Sequence, residues 1–226
     1  MLRLGDVARR SSAAEWAVQA VLAGWPGLAR TQVEAWPLGQ LDNALVALRR
    51  THFGDEWACE PQCTACGETF DLEFDPGTMG FGIPSDWEPG ALPTRAIEFS
   101  GDAAIIRPLI VHDLIAIERC AQEGDAAAYL AAALEVAEEN LSAALELSAE
   151  LDPLSNIWLA TQCPECSAEQ ALLFDPARFL AEEVARHADR LLGEVADIAQ
   201  AYHWSEADIL AMPAARRRFY LTRIAS

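Results

Sequence analysis

Two C-x-x-C turns, Cys63-Thr64-Ala65-Cys66 and Cys163-Pro164-Glu165-Cys166, carry the clearest chemistry in the chain. Each offers two thiolates on one side of a tight loop. Two such turns face to face complete a tetrahedral shell for a soft divalent ion about 2.3 Å from each sulfur. Zn²⁺ is the expected ion. Four protein sulfurs leave no open position, so its expected role is structural. The separation between the pairs exceeds ordinary ribbon spacing, which predicts a ribbon carrying an inserted subdomain. Two other readings stand beside this one. A dithiol oxidoreductase would place its C-x-x-C after a strand and at the start of a helix, where the dipole lowers the thiol pKa; both pairs here precede strand-like sequence. The remaining reading is two disulfides or four ordinary thiols. Cys59 is an alternative ligand or an inward-facing strand residue, and Cys120 falls in a helical pattern and reads as core.

The elements that must position these turns follow from spacing. Glu56–Cys59 and Thr69–Phe74 read as strands around the first turn, and 157–160 and 170–174 as strands around the second. An internal echo links them. Trp57-Ala58, Cys63-x-x-Cys66, Phe70 and Phe74-Asp75-Pro76 resemble Trp158-Leu159-Ala160, Cys163-x-x-Cys166 and Phe174-Asp175-Pro176, which suggests that the two hairpins meet. Ser12-Ala13-Ala14-Glu15 has capping-box spacing and opens a helix. A second helix covers about 38–50. Residues 75–94, with four prolines and four glycines, read as a loop, and 95–99 with 103–108 as a hairpin turning at 100–102. Alanine-rich 112–150 predicts three helices broken near Gly124 and 134–140. A long helix follows Asp175-Pro176, a short one capped at Trp204–Asp208 ends near Met212-Pro213, and a last one carries Arg216-Arg217-Arg218, Phe219-Tyr220, Leu221 and Ile224. The expected class is α+β, mainly helical, with a small β core from the two zinc-ribbon-like hairpins. The expected divisions are 1–55 helical, 56–110 first knuckle, loop and hairpin, 111–155 helical insertion, 156–175 second knuckle, and 176–226 helical.

Composition limits the functions available. The 226 residues hold 35 acids against 16 bases, a formal charge of −19. Phosphate binding needs a basic face, so nucleic acid and anionic membranes are not expected partners. Every base is arginine, which excludes Schiff-base and Walker lysines. The apolar runs are short and no leader pattern is visible, so a cytoplasmic chain with no membrane insertion is expected. Thiols there stay reduced, which favours metal over disulfide.

No catalytic motif emerges. The four histidines, His52, His112, His187 and His203, are scattered, and there is no H-E-x-x-H, G-x-S-x-G or P-loop. Asp113, at a helix start, reads as a cap. The chain is expected to be no enzyme and to take no small-molecule substrate. Most of the seven tryptophans read as core; Trp25, Trp36 and Trp87 lie in loop-like sequence, where aromatics serve as interface anchors. Arg216-Arg217-Arg218 with Phe219 is either a solvated helix face or a docking patch for an acidic surface on a neighbouring subunit. Trp87, Arg216, Arg217, Arg218 and Phe219 are the candidate interface residues.

Several blocks, in order, resemble the T4-type baseplate family of contractile phage tails and extracellular contractile injection systems. They are Tyr202-His203-Trp204-Ser205-Glu206-Ala207-Asp208 running on to Leu221, Trp36-Pro37-Leu38-Gly39-Gln40-Leu41-Asp42 running on to Arg50, Phe53-Gly54-Asp55, and the two knuckles. The resemblance implies a non-enzymatic baseplate component whose partners are other baseplate or hub subunits, assembled from the cytoplasm into a phage-tail-like particle. An assembly chaperone for the hub or tape-measure protein is the alternative it allows. It also implies that the helix pair around Trp204 packs against the long helix before it.

Overall fold

The structure, a computed structural model, describes residues 2–8, 11–82, 92–99, 102–120 and 125–224. After a short first helix, α1 (Leu2–Ala8), Ser12 caps α2 (Ala13–Gly24) by accepting the Glu15 N–H at 3.4 Å. Trp16, Ala17, Val18 and Val21 form its buried stripe. The Glu15 carboxylate takes Arg30 of α3 (Arg30–Glu34) at 2.5 and 2.7 Å, and that hydrogen-bonded guanidinium holds it below the usual carboxylate range. Helix α4 (Leu38–Phe53) buries Leu41, Ala44, Leu45 and Leu48 and packs against α2.

Three two-stranded antiparallel sheets follow among the described residues. β1 (Trp57–Cys59) pairs with β2 (Leu72–Phe74), β3 (Arg95–Phe99) with β4 (Asp102–Ile106), and β5 (Trp158–Gln162) with β6 (Glu169–Leu173). The expected strand over 69–74 is regular only in β2. Before it the chain is still rounding the knuckle, held by an isolated Gln62–Thr69 bridge and the Phe70 N–H donated to Pro61 at 3.2 Å. Asp102, expected in a turn, pairs with Phe99 as a strand residue. The expected loop at 75–94 opens with a 3₁₀ turn over Pro76–Met79, because Asp75 accepts the Gly77 N–H at 2.8 Å.

The insertion between the knuckles builds a core of its own. Ile106 of β4 packs with Leu134, Ala144 and Leu147, which come from α6 (Ala126–Ala133), its end, and α7 (Leu141–Leu151). Helix α5 (Val111–Cys120) joins this insertion to α2, and Glu118 accepts the Ala14 N–H at 3.1 Å. Asp113 does cap α5: it accepts the Ile110 N–H at 2.9 Å while Arg107 grips both its oxygens at 2.6 and 3.1 Å.

Asp175 accepts the Arg178 N–H at 2.9 Å and starts α8 (Pro176–Tyr202), followed by α9 (Glu206–Leu210) and α10 (Ala214–Ile224). The chain is thus α+β and mainly helical. It divides into two compact units, residues 11–180 and residues 1–10 with 181–226. In the second, α1 meets α8 where Gly5 faces Ala188; a Cβ at Gly5 would stand 2.7 Å from the alanine methyl, closer than side chains tolerate. Ser205 caps α9, and Val195, Ile198 and Ile209 form the core under Tyr202, Trp204 and Tyr220. The Tyr202 and Trp204 rings stack at 4.9 Å, and Tyr220 meets Trp204 edge-on at the same separation. No described helix is long and apolar enough to cross a membrane.

Candidate metal centre

The two knuckles are built alike, residue for residue, with a shift of one hundred positions. In the first, Cys63 donates its N–H to the Glu68 carbonyl at 2.8 Å and Gly67 donates to the Cys63 carbonyl at 2.9 Å. In the second, Cys163 donates to Ala168 at 3.0 Å and Ser167 to Cys163 at 2.9 Å. Both turns need a left-handed residue. Gly67 supplies it at φ +80°, a conformation glycine takes freely; Ser167 takes it at φ +59°. Each knuckle is then followed by a strand and a capping aspartate, Asp75 or Asp175.

The turns face each other and bring all four sulfurs within 4.8 Å of one another. Across the interface, Cys63 Sγ lies 3.6 Å from Cys166 Sγ, and Cys66 Sγ lies 3.8 Å from Cys163 Sγ. The pairing is reciprocal, as between the halves of a two-fold dimer. A tetrahedral ion with bonds near 2.3 Å separates its sulfurs by about 3.8 Å. The donor set therefore fits one divalent ion with sulfur affinity, and its four ligands close the shell. Cys63 and Cys163 are buried, while Cys66 and Cys166 reach the surface.

The local backbone favours thiolate at one ligand. The N–H groups of Cys66 and Ala65 point at the Cys63 sulfur and pull its thiol down to about 6. At Cys66 the Glu68 N–H pulls the same way, but burial and hydrogen bonding with the sulfurs of Cys166, Cys63 and Cys163 outweigh it and push that thiol up to about 12. Four crowded sulfurs cannot all ionise unaided. A bound dication removes the conflict, because each thiolate then faces positive charge. Neither C-x-x-C opens a helix, so the dipole arrangement of a thioredoxin-like dithiol is missing at both.

Two supporting residues have no motif to announce them. Gln170, buried, accepts both the N–H and the hydroxyl of Thr64 at 3.1 Å, locking the second hairpin to the tip of the first knuckle. Phe70, its counterpart one hundred positions earlier, packs against Cys63 and Cys163 and keeps water from the buried sulfurs. The only sequence signal for either was the shift itself. Below the sulfurs, Trp57, Phe81, Leu159 and Phe174 join Val46 of α4 in one core. Cys59 sits half-buried in β1, where burial raises its thiol.

The tryptophan echo is corrected by this register. Trp57 stands six positions before Cys63, and the residue six before Cys163 is Ile157, not Trp158. A one-residue shift in a strand turns a side chain to the other face. Trp57 is accordingly 2% exposed and Trp158 57% exposed, opposite the equally outward Leu173. Of the loop tryptophans, Trp36 is buried and Trp25 half-buried, and Trp87 lies outside the described residues. Arg216, Arg218 and Phe219 are exposed on α10, whereas Arg217 folds back to Glu194 at 3.2 Å and to the Met212 carbonyl at 2.7 Å.

Comparison of the chain with protein-family models, with curated proteins and with solved structures returned no match.

Proposed function

We propose that this chain is a zinc-stapled structural component of a contractile, phage-tail-like baseplate, acting by binding neighbouring subunits and carrying out no reaction of its own. The observation that supports the structural half is the convergence of Cys63, Cys66, Cys163 and Cys166 from turns 97 residues apart. Among sulfur-seeking ions Zn²⁺ suits a closed tetrahedral thiolate site and brings no redox chemistry. Its binding energy becomes folding energy, so residues around the first knuckle cannot open without those around the second. A subunit that bears force at a baseplate gains from such a cross-link. The particle assignment rests on the ordered resemblance of the knuckles, the Trp36–Arg50 block and the Tyr202–Leu221 block to that family. The acidic surface limits non-specific association and leaves the arginines of α10 as distinct contact points.

Two measurements test this. Elemental analysis of protein purified without chelator is expected to give one zinc per chain; no zinc with four titratable thiols at these positions defeats the structural half. Gradient-purified contractile particles are expected to retain the tagged chain in fixed ratio to a sheath subunit. Presence during assembly and absence from finished particles would identify an assembly chaperone instead.

A further inference from the structure

A second site lies in the unit formed by residues 1–10 and 181–226. Between α8 and α10 there is a cavity of about 430 Å³ whose wall includes His187, Arg190, Glu194, Ala214, Arg217 and Arg218. Three guanidiniums meet there against one carboxylate, in a chain whose acids outnumber its bases 35 to 16. The carboxylate is already engaged, since Glu194 holds Arg217 in place. Arg190 is turned toward His187, with Nη2 2.9 Å from Nδ1. The Arg218 guanidinium has no ionic or hydrogen-bonded partner among the described residues; only its carbonyl is engaged, by the Thr222 hydroxyl at 2.9 Å. Burial, and then the neighbouring Arg190 charge, holds the His187 imidazole below its usual value. The cavity therefore has unspent positive charge in a form suited to bidentate recognition of oxyanions.

The rim narrows the class of ligand. Phe219, 57% exposed, follows Arg218 in α10 outside the cavity lining, with the Arg223 guanidinium 5.6 Å from its ring centre, and Arg216 lies over Tyr220 at 5.9 Å. Arginine interleaved with accessible aromatic surface is the composition of protein-binding hot spots. A free inorganic anion would make no use of the ring. We infer that this cavity and its α10 rim bind an acidic segment of another protein, with its carboxylates on Arg190 and Arg218 and an apolar side chain against Phe219. The site deepens the subunit-binding reading, which already takes the arginines of α10 as contacts and on which it rests, but it needs no baseplate, because the charge and the cavity are there whichever protein supplies the segment.

The test uses the full-length chain and a fluorescein-labelled ten-residue peptide of alternating glutamate and leucine, read by anisotropy at low salt. A protein of net charge −19 repels such a peptide everywhere except at a local positive site. Binding is expected, weakened at least tenfold by Arg190→Glu with Arg218→Glu and about threefold or more by Phe219→Ser. Arg95→Glu, in the other unit, is expected to leave it unchanged. Circular dichroism and zinc content identical to the parent exclude misfolding of the variants. No binding to the parent chain, or equal binding to the double arginine variant, overturns the inference. So does displacement by inorganic phosphate at a lower charge concentration than by unlabelled peptide, which would mark a free-oxyanion site. Concentration-dependent dimerisation abolished by Arg218→Glu would overturn it in favour of a second copy of this chain. Loss of particle association alone bears only on the baseplate reading.

Discussion

The indole of Trp57 lies edge-on to the phenyl ring of Phe174, with centroids 5.3 Å apart and planes at 79°. One residue belongs to the first knuckle hairpin and the other follows the second, so this contact joins the hairpins through apolar packing as the sulfurs join them at their tips. Phe74 and Phe174, equivalent positions, also meet, at 5.2 Å, and Phe179 closes the group. The two fastenings have different chemistry and respond to different perturbations.

Ligand loss tests the proposed metal fastening. Cys63→Ser is expected to abolish bound zinc and lower stability by several kcal/mol, because structural zinc contributes about 10 kcal/mol or more of apparent binding energy in small domains. Cys59→Ser is expected to leave the zinc in place. Metal content and urea unfolding of both variants check this; retained zinc in Cys63→Ser would refute the four-sulfur site.

The apolar fastening distinguishes the two tryptophans. Trp57→Ala removes a buried indole and is expected to cost about 3–5 kcal/mol. Trp158→Ala touches only an exposed face and should change stability by about 0.5 kcal/mol. Equal costs in denaturant titrations would show that the hairpins are not related by the one-hundred-residue shift.

Gln170→Leu keeps all four ligands but strips Thr64 of its partner. Removal of such a supporting contact typically weakens metal sites about 10–100-fold. Zinc is expected to remain bound after purification yet transfer to a chromogenic chelator at least tenfold faster than in the parent.

Arg107→Met leaves the Asp113 carboxylate, only 3% exposed, without its bidentate partner. Removing one member of a buried pair costs about 3–5 kcal/mol. Replacing both, with Asp113→Leu added, is expected to recover part of that loss, which a double-mutant cycle in urea measures.

Asp42 supplies a pH dependence. Burial, then the charges of Asp175 and Asp152, push its carboxyl well above the usual range. A carboxyl whose folded pKa exceeds its unfolded value near 3.9 carries no penalty below that value. The penalty grows as pH rises from the unfolded value toward the folded pKa and is complete above it. Asp42→Asn is therefore expected to raise the urea midpoint at pH 7 and to have little effect at pH 3.5. A constant difference across that range would contradict the assignment.

Local sequence by itself determined where α2, α8 and α9 begin and where the C-x-x-C turns fall, because those signals are local, while α1, α3 and the turn over Pro76–Met79 were not read from it. Ser12, Asp75, Asp175 and Ser205 each accept a backbone N–H two or three residues on, and the C-x-x-C turns close through bonds inside five or six residues. It also picked out the four cysteines that cluster, since they announce their chemistry by type and spacing, though it left Cys59 as an alternative. Only the tertiary structure decided which faces those elements present. A strand alternates every residue, so matching Trp158 to Trp57 in the echo is off by one position, and the fold turns Trp158 to the surface. Nor could spacing reveal Gln170 reaching Thr64, or Arg217 reaching Glu194 across two helices, because neither pair is joined by a local period. Such contacts exist only after packing has chosen which distant residues share a side, and that choice is made by burial summed over a whole unit rather than by any segment of it.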